Sequence, residues 1–416
     1  MNSKPANPTL DIDRDEPVPR RVDARALHVL TLTPFFPSLE NEVVGCFVKE
    51  PLDALIQLEV SSTVVAVSPI YRARQHASSS VPAKWVRYPQ LPGTLGLSSA
   101  GRLLYTRLQR EISRLHRERP IDVIHAHAAL PCGQAASLLA RRLVIPFVVT
   151  VHGLDVFNSC FLDGIPAEWR RRASIAVYQS AAGVICVSRK VQQILLSGMP
   201  GGVYSTVVYN GANAELFSPH PDRPISRATS APEQEILVVG SLIATKGQEL
   251  VLRAIHRLAG SFPQLQCRII GEGADRQRLE TLSNNLGIRQ RVHFLGRQSR
   301  TSVADAMRRC SIFVLPSSNE GLGCVYLEAM ACGKPVVACR GQGIEEIIEH
   351  QKNGWLISPD NLDELEQAIS TLLRSPEQGA QIGLAARETI LKGLTLSHQA
   401  QRLATLYRLC AANRAL

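Results

Sequence analysis

The feature that most constrains this sequence is a repeated order: a short continuous apolar run, a stretch with helical spacing, then another apolar run. LHVLTL (27–32), STVVAVS (62–68), IDVIHA (121–126), PFVVTV (146–151), GVICVS (183–188) and STVVYN (205–210) form a first series. EILVVG (235–240), QCRIIG (266–271), RVHFLG (291–296), SIFVLP (311–316), PVVAC (335–339) and NGWLIS (353–358) form a second. Runs without alternation suit strands buried on both faces, and their interleaving with helical segments predicts doubly wound parallel sheets. Between the two series Pro219, Pro221, Pro224 and Pro232 fall in a stretch without periodicity, which places a linker there. The expected organisation is a tail at 1–25, a first α/β domain at 26–218, a linker at 219–234, a second α/β domain at 235–390 and a C-terminal helical segment at 391–416.

Composition narrows the function classes. At 416 residues, with 45% hydrophobic and 20% charged content, the chain can build two real cores. No apolar run approaches the ~20 residues of a membrane span, and the polar first 21 residues lack the apolar centre of a signal peptide. The ten cysteines sit mostly within apolar runs and show no metal-type spacing, so reduced core thiols in the cytoplasm are expected and zinc is not. Net charge is +10, which leaves anionic partners open. Aromatic content is only 5% and no helix-turn-helix or RNA-binding aromatic motif occurs, which argues against nucleic acid. The stretch 101–120 carries six arginines (Arg102, Arg107, Arg110, Arg114, Arg117, Arg119) against two glutamates, beside an apolar stripe of Leu104, Leu108, Ile112 and Leu115. A crossover helix with a solvated basic face accounts for it; a surface held near anionic lipid is the other reading.

The richest chemistry lies in PSSNEGLGCVYLEAMACGKPVVA (316–338). It reads as a loop and helix between two buried strands, starting where open α/β sheets bind ligands. Gly321, Leu322 and Gly323 form a turn that lets backbone approach a ligand, and Glu320 and Glu328 bracket it as acceptors for sugar or ribose hydroxyls. A solvated loop acid and a helix-surface acid are the bland reading of such a pair. The flanking strands and glycines favour the site.

This stretch resembles the donor-site motif of retaining glycosyltransferases of the GT-B fold, family 4, in which two glutamates stand eight positions apart. Further stretches share the resemblance. VHGLD (151–155) is similar to the family's HGxD loop, which implies that His152 sits beside the transferred sugar and that Asp155 orients the imidazole or meets the acceptor. VGSLIATKG (239–247) resembles the donor loop, implying a diphosphate role for Lys246; Ser241 stands where many members have arginine. NGAN (210–213) resembles a structural turn of the family, with Asn213 where Asp is usual. Gly45 corresponds to a glycine loop near the donor, although a plain strand-to-helix turn explains it equally. His127, at the carboxyl end of a strand beside His125, is either a satisfied structural histidine or a sugar-proximal one.

The resemblance covers roughly residues 27–412. It implies two Rossmann-like domains facing across a cleft, with the last helix returning to the first domain. It also implies transfer of a hexose from a UDP- or GDP-sugar to a glycan or lipid-linked acceptor, with retention of configuration, no metal and no cofactor. The setting it implies is cell-surface polysaccharide or lipopolysaccharide assembly at the inner face of the membrane. A nucleotide-sugar epimerase of similar fold and a silent sugar-nucleotide-binding module are the alternatives. His152, Lys246, Glu320 and Glu328 together speak for transfer.

Overall fold

The computed structural model describes residues 26–38, 41–72, 83–91, 96–153, 156, 165–220 and 234–412. The tail at 1–25, residues 221–233 of the linker, and Asp155 lie outside them. The chain forms two compact units, Met1–Tyr209 with Ser397–Leu416, and Asn210–Leu396.

The first unit contains a seven-stranded parallel sheet made of β1 (Leu27–Thr33), β2 (Val60–Pro69), β3 (Ala83–Tyr88), β4 (Val123–His127), β5 (Phe147–Val151), β6 (Gly183–Cys186) and β7 (Ser205–Val207). Its order is β3-β2-β1-β4-β5-β6-β7, with the reversal of direction between β1 and β4. Strands β1, β4 and β5 are buried at every position, as continuous apolar runs require. The apolar runs predict six of these strands. The seventh, β3, is an edge strand with only Tyr88 buried, so AKWVRY never builds a run.

The helix Leu396–Ala412 belongs to this unit. Leu403, Leu406 and Tyr407 join a core cluster with Val29, Leu55 and Val64, and the Arg408 guanidinium donates to the Leu58 carbonyl at 2.8 Å. The helix Leu97–Glu118 buries Leu104, Leu108 and Ile112 and exposes Arg102, Arg107, Arg110, Arg114 and Arg117, so the basic face points to water. Among the described residues no helix is long and apolar enough to cross a membrane.

The second unit has six parallel strands: β8 (Glu235–Val239), β9 (Gln266–Ile270), β10 (Val292–Gly296), β11 (Ile312–Leu315), β12 (Val336–Cys339) and β13 (Trp355–Ile357). Their order is β10-β9-β8-β11-β12-β13, and the direction reverses between β8 and β11. All six follow the apolar runs. Ligand loops gather at such a reversal, at the carboxyl ends of the strands.

The unit boundary lies at Tyr209, ahead of the proline-bearing stretch that the sequence nominates, and the last boundary falls at Leu396 rather than 390. The turn at 210–218 explains the first difference. Arg308, from the helix Arg300–Arg309, donates to the carbonyls of Leu216 (2.5 Å) and Ser218 (3.0 Å), and Phe217 is fully buried beside Arg300. These contacts join the turn to the second unit.

Candidate active site

In the second unit two loops are locked together. The turn Ala244–Lys246 follows β8, and Gly247 adopts φ +72 before the helix Gln248–Leu258. A Cβ at Gly247 would lie 2.3 Å from the Pro316 carbonyl oxygen, so only glycine permits this approach to the loop after β11. Ser317 Oγ and the Ser318 amide both donate to the Thr245 carbonyl, at 3.0 and 2.9 Å. The docking brings Lys246 onto Glu320: the ammonium forms an ion pair with Oε1, the side chains only 19% and 12% exposed. Glu320 is anchored further by its amide, which donates to Gln342 Oε1 at 3.0 Å.

Glu328 lies in the helix Cys324–Ala331, and its side chain is 5% exposed. Arg300 meets it, the guanidinium donating to Oε1 at 2.5 Å. The other carboxylate oxygen, Oε2, is buried with no hydrogen-bond partner among the described residues. Burying a carboxylate with an oxygen unsatisfied is costly, so this atom marks a place where an incoming donor would be stabilised.

The structure therefore brings Lys246 to Glu320 directly, whereas the sequence suggests them as separate diphosphate and sugar contacts. Gly321 and Gly323 are half-buried in the same loop; Leu322 is 2% exposed, so its side chain fills core and only its backbone can meet a ligand. Ser241 is exposed at the end of β8, its carbonyl accepting from the Gln248 side chain at 2.9 Å. Arg300 escapes sequence reasoning. It opens a polar helix with no motif of its own, and its partner Glu328 lies 28 residues away. The one hint is that Ser241 leaves the expected second cation missing.

The first unit presents a different arrangement. His125 and His127, on one face of β4, have ring centroids 4.3 Å apart, and His127 stacks on His152 at 5.2 Å. His125 is hydrogen-bonded at Nδ1 to Tyr407 and at Nε2 to Thr150, both at 2.6 Å. The two hydroxyls can rotate to suit either neutral tautomer. His127 Nδ1 and His152 Nε2 are 3.0 Å apart. One nitrogen must donate and the other accept, which two neutral rings can do and two imidazolium ions cannot.

Burial enforces that neutrality. Desolvation, with the neighbouring His152 charge adding to it, drives His125 down to about 3. Desolvation alone takes His152 to about 3. His127 lies well below its usual range through desolvation and then its two histidine neighbours. Part of the His152 residue reaches the surface, but its ring packs against Phe47 at 4.8 Å and Phe35 at 5.6 Å, which exclude water from it.

Gly45, at φ +80, begins the helix Cys46–Ile56, and a Cβ there would lie 2.4 Å from the Phe35 backbone. Its glycine is thus required by the packing that carries Phe35 and Phe47 over His152. Among the described residues no three His, Cys, Asp or Glu side chains are placed to hold a metal ion.

Two doubly wound parallel sheets, with charged side chains gathered at the strand ends of the second, make the α/β architecture of GT-B glycosyltransferases. The family follows from direct comparison. Residues 47–216 match the family model described as Glycosyltransferase Family 4, and residues 223–389 match that of Glycosyl transferases group 1. An uncharacterised glycosyltransferase of Methanocaldococcus jannaschii is 31% identical over 270 residues, 64% of this chain and 70% of the relative. The chain belongs to glycosyltransferase family 4. It is also 27% identical over 305 residues, covering 71% of this chain and 78% of the relative, to the GDP-mannose-dependent alpha-(1-6)-phosphatidylinositol monomannoside mannosyltransferase of Mycolicibacterium smegmatis. Among solved structures, Anabaena HepE in complex with UDP and glucose superposes with TM-score 0.70, covering 90% of this chain and 98% of HepE at 21% identity.

Proposed function

We propose that this glycosyltransferase moves a hexose from a UDP- or GDP-sugar to a glycan or lipid-linked acceptor, with retention of configuration and without a metal. The observation that carries the reading is the pair of buried acid–cation contacts, Lys246–Glu320 and Arg300–Glu328, made between the segments that follow β8, β10 and β11. The UDP and glucose bound by HepE and the GDP-mannose dependence of the mycobacterial relative support a nucleotide-sugar donor.

In this reading Glu328 Oε2 accepts from the ribose and Glu320 from hydroxyls of the donor sugar. As the bond from the anomeric carbon to the diphosphate oxygen breaks, negative charge grows on the leaving group and positive charge on the sugar. Lys246, already desolvated, turns its ammonium to the leaving diphosphate while Glu320 faces the electron-poor sugar. The first amides of the helices Gln248–Leu258 and Cys324–Ala331 add donors of fixed direction. In the first unit His152, held to His127 through Nε2, is the histidine that this reading sets beside the transferred sugar. Asp155 retains its expected acceptor-side role in the proposal. The exposed arginines of the helix Leu97–Glu118 support attachment to an anionic membrane that carries the acceptor.

The test is a thermal-shift series with UDP, GDP, ADP and their hexose derivatives, with and without chelator. Stabilisation by one base only, insensitive to chelator and lost in Glu328→Ala, is the expected result, since a ligand of the folded state raises Tm by mass action. No shift with any nucleotide in folded protein rejects the donor assignment. Release of an isomerised sugar without an acceptor would redirect the assignment to an epimerase.

A further inference from the structure

We propose that Arg300 is a positioning residue for Glu328, and that by holding Oε1 it directs Oε2 and sets the site's preference for ribose over 2′-deoxyribose. The inference rests on the reading above, in which Glu328 receives the ribose.

Three observations support it. First, Arg300 is held from two sides: its guanidinium donates to Glu328 and lies 4.7 Å from the centroid of the fully buried Phe217 ring. A planar guanidinium can stack and donate at once; an ammonium on a flexible stem cannot reproduce both. Second, Phe217 is itself fixed. Its amide donates to the Asn213 carbonyl at 2.8 Å, the Leu216 amide to Asn213 Oδ1 at 3.1 Å, and Arg308 grips the carbonyls on either side. The brace from Asn213 through Phe217 to Arg300 therefore leaves Glu328 little freedom.

Third, Arg300 is the first residue of its helix, after the Ser299 cap that accepts from the Ser302 amide. A cation at a helix N-terminus meets the positive end of the dipole, which disfavours it there. A carboxylate partner offsets that penalty. Glu328 is left with one oxygen saturated by a charge and one buried and open. That asymmetry suits a vicinal diol, whose donors need an acceptor of fixed direction, better than a freely rotating carboxylate does.

The experiment is calorimetric titration of the full chain with UDP, GDP and ADP and with their 2′-deoxy counterparts. The variants are Arg300→Met, Arg300→Lys, Glu328→Gln and the double Arg300→Met/Glu328→Gln, with Tm recorded for each. Wild type is expected to favour its ribonucleotide by roughly 10- to 100-fold, the range of hydrogen bonds to a charged acceptor. Arg300→Met and Glu328→Gln should each reduce that ratio towards unity, the double no further, and Arg300→Lys should fall between. If Arg300→Met does not fold, Arg300→Lys carries the comparison.

Equal weakening of ribo- and deoxyribonucleotide in the Arg300 variants, with the ratio intact, would overturn the proposal and assign Arg300 to direct contact with phosphate or base. A wild type with no ribose preference, or with no nucleotide binding, would instead remove the role given to Glu328, and the positioning role falls with it. The two failures are distinguished by which protein shows them.

Discussion

The two units solve the same problem, polar groups gathered at the ends of buried parallel strands, in opposite ways. In the first, His125, His127 and His152 pack ring against ring and are kept uncharged by burial, His127 hydrogen-bonded to His152 and His125 to the hydroxyls of Tyr407 and Thr150. In the second, carboxylates and cations are buried as pairs, Lys246 with Glu320 and Arg300 with Glu328. A neutral column costs little desolvation but answers weakly to charge. A buried ion pair is expensive to desolvate and gains only from good geometry, yet it responds strongly when a new charge arrives. The histidines can therefore shape and hydrogen-bond, while the pairs can answer an arriving charge.

The comparison breaks most visibly at Glu328. Glu328→Leu should cost about 3–5 kcal/mol in urea unfolding, because it removes the carboxylate paired with a buried guanidinium. Adding Arg300→Met should restore most of the loss; if it does not, the pair is not the source. Next comes catalysis. Lys246→Met should reduce the transfer rate by roughly 10²- to 10³-fold, comparable to losing one preorganised donor at a developing anion, with Tm measured to show that the fold survives. A rate within twofold of wild type would remove Lys246 from the chemistry.

The neutral column should show itself in pH. A histidine near 6.5 when unfolded and at about 3 when folded binds its proton more tightly in the unfolded chain. Its stabilising effect is complete above about pH 6.5 and is lost as pH falls towards 3. For His125 alone that is about 2 kcal/mol between pH 7 and pH 5. Stability curves of wild type and His125→Phe at the two pH values should therefore converge in acid; parallel curves would mean the imidazole is charged in the fold. The smallest effect belongs to an exposed charge. Arg107→Ala should change stability by less than about 0.5 kcal/mol, while lowering retention on anionic vesicles by about 1 kcal/mol, roughly fivefold. A larger stability loss would show that the basic face packs against something.

Much of the fold was legible because parallel strands buried on both faces must be apolar throughout, and those runs stand out in the sequence. Strand β3 did not, since an edge strand with one buried residue has no such demand. Within the site, Glu320, Glu328 and Lys246 could be nominated from local motifs. Arg300 could not, because its pairing depends on two helices meeting and no local pattern encodes that. His125 shows the same limit: its partner Tyr407 lies 282 residues away, and only the return of the last helix brings them together. The boundary at Tyr209 was hidden for a related reason, as the turn at 210–218 is claimed by side chains of Arg300 and Arg308 far downstream.

That return has a consequence during synthesis. The first unit is built from both sides of the second in sequence, so its last helix leaves the ribosome only after all of Asn210–Leu396. At ordinary elongation rates the wait is roughly 10–40 s. Throughout it the surface that Leu403, Leu406 and Tyr407 will cover has no cover, and His125 lacks the phenol that satisfies Nδ1. The second unit, continuous in the chain, can close before the first is finished. The nascent first unit is thus the stage at which a chaperone would be needed.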